Sequence, residues 1–444
     1  QPLKGPLPLA LSAKSPEALQ ESAERLKAHL EEDPEQDLAD VAYSLLATRS
    51  TFEHRAVAVG EGKEQLLEAL GAIATGAPSR AMTAARAKSG RLAYLLTGQG
   101  SQRAGMGKEL AKAYPAYAQA LEEALAEIDP RLERPLGELL FAKPGSPEAE
   151  LLGNTAYAQP ALFATHLALH RLFESWGLEP DLLAGHSVGE ISAARISGVL
   201  NLPDAAKLIC ARSTLMGELP SGGAMLAVGA TEQEAAEAIE GFEAELSLAA
   251  VNSPSSVVLS GAEEAIAAQE ARWQERGKKT KRLAVSHAFH SPLIEPMQAA
   301  FAEVAKTLSY SEPKIPILSN LTGEILAPEQ AEDPAYWVSH ARAPVRFAEG
   351  IATLCAQGAS ACVELGPDPA LCAMAAECLA GQEQPPALIA TLREGRPEAQ
   401  SMTLALAAAH AAGAKVRWAS YFEGTGAKRA KLPTYPFQRK RYWL

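Results

Sequence analysis

The run Leu182-Leu183-Ala184-Gly185-His186-Ser187-Val188-Gly189-Glu190 constrains this chain more than any other. Its apolar opening reads as a short buried strand, and residues 190–197 read as a helix. Between them stands Gly-x-Ser-x-Gly. Glycines on both sides of Ser187 leave no Cβ in the way of a tight strand-to-helix turn, so the pattern predicts a nucleophile elbow. An elbow of this kind calls for an α/β layered fold. It also predicts a Ser187 hydroxyl exposed at a helix N-terminus, where backbone N–H groups can hold a developing oxyanion.

Bulk properties narrow the setting. A chain of 444 residues suggests two or three domains. Its net charge of −12 argues against nucleic acid as a partner. No apolar run reaches the ~18 residues of a membrane span, and no secretion signal opens the chain. The start at Gln1, in a Pro-rich stretch, reads as a piece cut from a longer polypeptide. Cys210, Cys355, Cys362, Cys372 and Cys378 lack metal-like or disulfide-like spacing, so they read as small apolar fillers in a reducing cytoplasm, with no metal.

Along the chain, residues 1–88 read as a small α/β unit. Its strands are expected at 9–12 and 54–59 and its helices after Ser15, after Asp37 and over 63–74, with 75–89 as a linker. Residues 89–412 read as the main domain. There Leu92-Ala93-Tyr94-Leu95-Leu96 is a buried strand, followed by Gly98-Gln99-Gly100-Ser101-Gln102. Both nucleotide-binding glycine motifs fail in that loop, because Arg103 and Gln102 stand where glycines are required. Two readings remain, a plain turn or a loop presenting oxyanion donors. Residues 223–286 follow the order βαββαβ, which predicts an inserted ferredoxin-like subdomain. The fold class is therefore an α/β-hydrolase-like large subdomain (89–222 and 287–412) with that insert, preceded by the small α/β unit. The basic, aromatic tail 413–444 is expected to pack back along another unit.

A serine needs a base to act as a nucleophile. His287 and His290, in the polar stretch after the insert, are the candidates, with a loop role as the competing reading. No acid stands out as an orienter, so a Ser–His dyad steadied by a backbone carbonyl is expected. His166 and His170 read as ordinary helix residues. Arg212, on a helix expected over 204–216, is either a surface residue or a two-pronged grip on a substrate carboxylate.

Three motifs, Gly98-Gln99-Gly100-Ser101-Gln102, Gly185-His186-Ser187-Val188-Gly189-Glu190 and His287-Ala288-Phe289-His290-Ser291-Pro292, stand in one order and spacing. Together they resemble the acyltransferase domain of type I modular polyketide synthases. The resemblance implies Ser187 as the acylated nucleophile and His290 as the general base. It implies the backbone amides of Gln99 and Val188 as the oxyanion hole, Arg212 as the carboxylate binder, and the carbonyl of His340 as the orienter of His290. Residues 1–88 then resemble the linker that follows a ketosynthase. Leu432-Pro433-Thr434-Tyr435-Pro436-Phe437-Gln438-Arg439 with Tyr442-Trp443 resembles a linker that follows the acyltransferase.

The implied reaction is ping-pong transfer from an acyl-CoA to the phosphopantetheine of an acyl carrier protein, without a resident cofactor. The implied partners are that carrier and the ketosynthase of the same polypeptide, in the cytoplasm. His287-Ala288-Phe289-His290 resembles the malonyl-selective form, Phe289 filling space that a C2 methyl group would need. Tyr157-Ala158-Gln159-Pro160 and Val188 look malonyl-type as well. An acyltransferase for another extender unit, a serine thioesterase and a non-catalytic docking scaffold are the competing readings.

Overall fold

The computed structural model describes residues 5–285 and 287–438. Ser286, just before the third motif, and Gln1, Arg439, Tyr442 and Trp443 lie outside the described residues. Strands β1 (Leu7–Ala13), β2 (His54–Gly60) and β3 (Met82–Arg86) form an antiparallel sheet in that order. Period-2 alternation sets its two faces. Leu9, Leu11, Ala56 and Ala58 point to the helices Pro16–Glu32 and Lys63–Thr75. Ala10, Val57 and Val59 turn the other way and meet Ala407 of the distant helix Glu398–Ala412.

Local capping starts the early helices as expected. The Ser15 hydroxyl accepts from the Ala18 N–H, and Asp37 caps its helix in the same manner. The expected linker 75–89 needs correction, because it contains β3. Met-Thr-Ala-Ala-Arg shows little local strand signal, and the edge of β2 supplies its ladder.

Strands β4 (Arg91–Leu96) and β5 (Leu182–Gly185) begin the large subdomain. The insert follows, with β6 (Gly223–Val228), β7 (Leu246–Ser253), β8 (Ser256–Ala262) and β9 (Thr280–Arg282). They form an antiparallel sheet in the order β7-β8-β6-β9, the ferredoxin-like arrangement. Leu226, Leu259, Ile266 and Trp273 fill its own core.

The chain then returns through β10 (Ile317–Leu318), β11 (Ala359–Leu365) and β12 (Ala387–Ala390). The large sheet has the order β10-β5-β4-β11-β12 and is parallel throughout. Chain order reverses at β4, which has β5 on one side and β11 on the other. Such a reversal opens a crevice at the carboxyl ends of the strands. The described tail lies along the first unit, where Arg49 donates to the Pro433 carbonyl and the Lys14 N–H to the Tyr435 hydroxyl. Among the described residues no helix is long and apolar enough to cross a membrane.

Candidate active site

Gly185 closes β5 and Val188 opens the helix Val188–Ser197, which leaves Ser187 at the junction. A Cβ on Gly185 would stand 2.1 Å from the Glu190 backbone nitrogen, and one on Gly189 2.1 Å from the Leu96 carbonyl oxygen. Backbone cannot yield at such distances, so the helix seats against β4 and β5 only because both side chains are missing. Ser187 has φ +50° and His290 φ +56°, and no other non-glycine residue among those described has a positive φ of this kind. Such conformations cost roughly 1–3 kcal/mol each and persist where surrounding contacts over-determine them.

Asn320, just beyond β10, holds the elbow. Its carboxamide oxygen accepts the Ser187 N–H at 2.7 Å, and its Nδ2 donates to the Gly185 carbonyl at 2.6 Å. Its own N–H donates to the buried Glu190 carboxyl at 2.7 Å, whose other oxygen accepts from the Tyr336 hydroxyl. Burial raises the Glu190 pKa to about 8 against those two hydrogen bonds.

Ser187 Oγ lies 2.8 Å from His290 Nε2, and His290 Nδ1 lies 2.7 Å from the Ala343 carbonyl oxygen. A carbonyl can only accept, so Nδ1 carries the proton and Nε2 offers its lone pair to the serine O–H. Burial, then the charge of Arg212, lowers the His290 pKa to about 3. The imidazole is therefore neutral at physiological pH and able to take a proton.

The orienting carbonyl belongs to Ala343, which corrects the expectation for His340. His340 lies inside the helix Pro334–Arg342, while Ala343 follows it with φ −74° and ψ 158°. Pro344 disfavours the helical conformation at Ala343, so that carbonyl leaves the helix direction and reaches the imidazole. The His340 ring is buried instead near the elbow, with Nε2 3.6 Å from the Glu190 carboxyl.

Arg212 is 1% exposed. Its Nη2 donates to Ser187 Oγ at 3.0 Å and its Nη1 to Gln159 Oε1 at 2.7 Å. Its Nε has no partner, and no carboxylate pairs with it among the described residues. Burial lowers its pKa to about 10, so it remains a cation at neutral pH. Of the two readings offered for this arginine, the surface one is thereby excluded.

The loop after β4 presses on the elbow. The His186 N–H donates to the Leu96 carbonyl at 2.9 Å, and a Cβ on Gly98 would come within 3.0 Å of His186. The Gln99 side chain lies in a chain of contacts from Thr155 to Gln159, which in turn holds Arg212. The Val188 N–H belongs to the first turn of its helix, where no acceptor lies one turn back. Phe289 is buried next to His290, its ring centroid 6.3 Å from that of His287. His287 Nε2 lies 2.9 Å from the Leu219 carbonyl, so this histidine faces the entry to the insert and not Ser187.

Asn320, Glu190, Ala343 and the grip of Gln159 on Arg212 were not assigned from sequence. Pro344 after Ala343, and a lone acid in the first turn of an apolar helix, are the signals that mark two of them. Asn320 carries no local signal. No cluster of side chains suited to a metal occurs among the described residues.

Residues 93–416 match the family described as acyl transferase domain, and residues 8–70 match one described as CurL-like, PKS C-terminal. The chain is 48% identical over 442 residues to polyketide synthase GfsA of Streptomyces halstedii, covering 99% of this chain and 6% of that protein. It therefore spans a small part of that relative. Among solved structures it is similar to the acyltransferase domain from the second module of the salinomycin polyketide synthase. The TM-score there is 0.79 at 45% identity, covering 96% of this chain and 98% of the other. It is also similar to malonyl-CoA:acyl carrier protein transacylase (FabD) from Xanthomonas oryzae pv. oryzae, with TM-score 0.62 at 30% identity, covering 69% of this chain and 96% of that one.

Proposed function

This chain belongs to the acyl transferase domain family of type I modular polyketide synthases, and from that premise we propose that it carries a malonyl unit from malonyl-CoA to an acyl carrier protein. The observation that carries the reading is the guanidinium of Arg212. It is buried, lacks a carboxylate partner among the described residues, and lies 3.0 Å from Ser187 Oγ. A buried cation is costly without a counter-charge. An acyl group with its own carboxylate supplies one, and the short reach to Ser187 favours a carboxylate close to the thioester carbonyl. Malonyl has that shape. The similar transacylase from Xanthomonas oryzae acts on malonyl-CoA by its name.

The chemistry follows from the proton positions. Ser187 Oγ attacks the thioester carbon as its proton passes to His290 Nε2. The Nδ1–H bond to Ala343 steadies the imidazolium that forms. The N–H groups of Gln99 and Val188 receive the oxyanion. The C–S bond breaks, and His290 returns the proton to the departing CoA thiolate, leaving a serine ester. The phosphopantetheine thiol of the carrier protein then gives its proton to His290 and attacks that ester. Ser187 recovers the proton as its C–O bond breaks, so one thioester has been exchanged for another. Phe289 occupies space beside the base and disfavours a C2 methyl group, a discrimination worth ~1–3 kcal/mol. A ketosynthase on the same polypeptide would consume the product.

Competitive acylation with a panel of acyl-CoAs, read by intact mass and by transfer to a carrier protein, tests this. One malonyl adduct is expected, absent in Ser187→Ala, with transfer to the carrier thiol. Release of free malonate without transfer would make the protein a hydrolase. An adduct that survives Ser187→Ala would overturn the assignment of the nucleophile.

A further inference from the structure

We propose that Ser247, on the ferredoxin-like insert, is a positioning residue that holds His290 in register with Ser187. The Ser247 hydroxyl donates to the His290 backbone carbonyl at 2.7 Å. That carbonyl belongs to a residue at φ +56°, outside every helix and strand. A buried carbonyl needs a donor, and here the donor comes from β7 of the other subdomain.

The same strand secures the opposite side of the imidazole. The Val251 N–H donates to the Val345 carbonyl, and the Val345 N–H to the Ala249 carbonyl, each at 2.9 Å. Val345 lies two residues beyond Ala343, whose carbonyl takes the Nδ1 proton. So β7 fixes His290 through its main chain and, by way of residues 343–345, through its ring. Ser187, in contrast, is held by Asn320 of the large subdomain. Both reacting residues belong to the large subdomain, but the base is braced by a strand of the insert, and the 2.8 Å between them reports how the insert is seated. Loss of the Ser247 bond frees a strained residue to relax, and the imidazole moves with it.

The inference rests on Ser187 and His290 being the acylating pair. Its test measures the rate of malonyl-adduct formation on Ser187 at saturating malonyl-CoA, using the 444-residue chain. Ser247→Ala is expected to slow adduct formation about tenfold, the scale of one hydrogen bond, with KM changed less than about twofold. Ser247→Thr keeps the hydroxyl and restores the rate.

Ser260→Ala is the control. Ser260 stands opposite Ser247 on β8, fully buried, and its hydroxyl has no hydrogen-bond partner among the described residues, so its loss leaves the rate unchanged. A second readout separates positioning from simple destabilisation. Burial, then the charge of Arg212, with His186 and Arg342, keeps the His290 ring uncharged, and His340 in turn is lowered by burial, Arg212 and His290. A ring loosened toward water acquires an inflection in rate between about pH 5 and 7 in Ser247→Ala, absent from the parent and from Ser260→Ala.

A Ser247→Ala chain that acylates at the parent rate overturns the inference. So does a Ser260→Ala chain slowed as much, or a Ser247→Thr chain as slow as the alanine variant. A parent chain that forms no adduct on Ser187 overturns the underlying reading instead.

Discussion

On the proposed function, Arg212 and Phe289 would divide the recognition of the acyl group between charge and volume. Arg212 touches Ser187 and Gln159 and retains an Nε unpartnered among the described residues, so a ligand carboxylate would find donors already aimed. Truncating one partner of a buried charge pair costs ~2–5 kcal/mol. Arg212→Ala should therefore lower kcat/KM for malonyl-CoA by about two orders of magnitude and erase its preference over acetyl-CoA. Competition between the two thioesters checks this, and unchanged selectivity would contradict the clamp. Phe289→Ser should raise acceptance of methylmalonyl-CoA by about 10–200-fold relative to malonyl-CoA, the worth of one methylene-sized contact. An unchanged ratio would place the filter elsewhere. Serine, histidine and arginine were legible as candidates because their chemistry is written in residue type. Ala343 acts through a carbonyl that every residue possesses, and only the helix end and Pro344 select it.

The elbow is a strand, a strained residue and a helix held by contacts from β10. Asn320→Ala would leave the Ser187 N–H and the Gly185 carbonyl unpaired at once. An unsatisfied buried polar group costs ~1–3 kcal/mol. A loss of about 2–4 kcal/mol is expected, seen as a lower Tm, together with slower acylation as Ser187 relaxes. Acylation at the parent rate would show that the strain is held by other contacts. Capped helices and the elbow were readable because their signals are local. The strand β3 has the sequence of a linker, because its small residues acquire strand structure from the free edge of β2 and not from their own propensity. The insert was legible through the order of its elements, while its seating through Val345 had no sequence signature.

The molecule is tied together by elements far apart in the chain. The helix Glu398–Ala412 joins the first sheet through Ala407 and the large core through Met402 and Leu406. Buried neutral histidines are spread through this assembly. Burial lowers His166 and His290 to about 3 and His170 and His410 to about 4. In the unfolded chain such groups titrate near ~6.5. Their folded pKa values are depressed, so below that pH the unfolded state takes up protons that the folded state refuses. Each group then removes ~1.4 kcal/mol per pH unit, down to its folded value. Glu190, raised to about 8, acts in reverse, its contribution being complete below ~4.5 and lost as pH rises through 8.

The histidines outnumber it, so Tm measured by calorimetry should fall between pH 6.5 and 5. A Tm that is flat or rising over that interval would mean these rings are hydrated. Sequence alone determined the α/β class, the inserted subdomain, the serine, histidine and arginine, and the resemblance, because periodicity, glycine placement and residue type act over short stretches. Tertiary structure alone decided which carbonyl turns the imidazole, that the arginine is buried without a counter-charge among the described residues, and that a strand of the insert braces the base. Distances across folded surfaces are set by packing among residues far apart in the chain, and no local pattern encodes them.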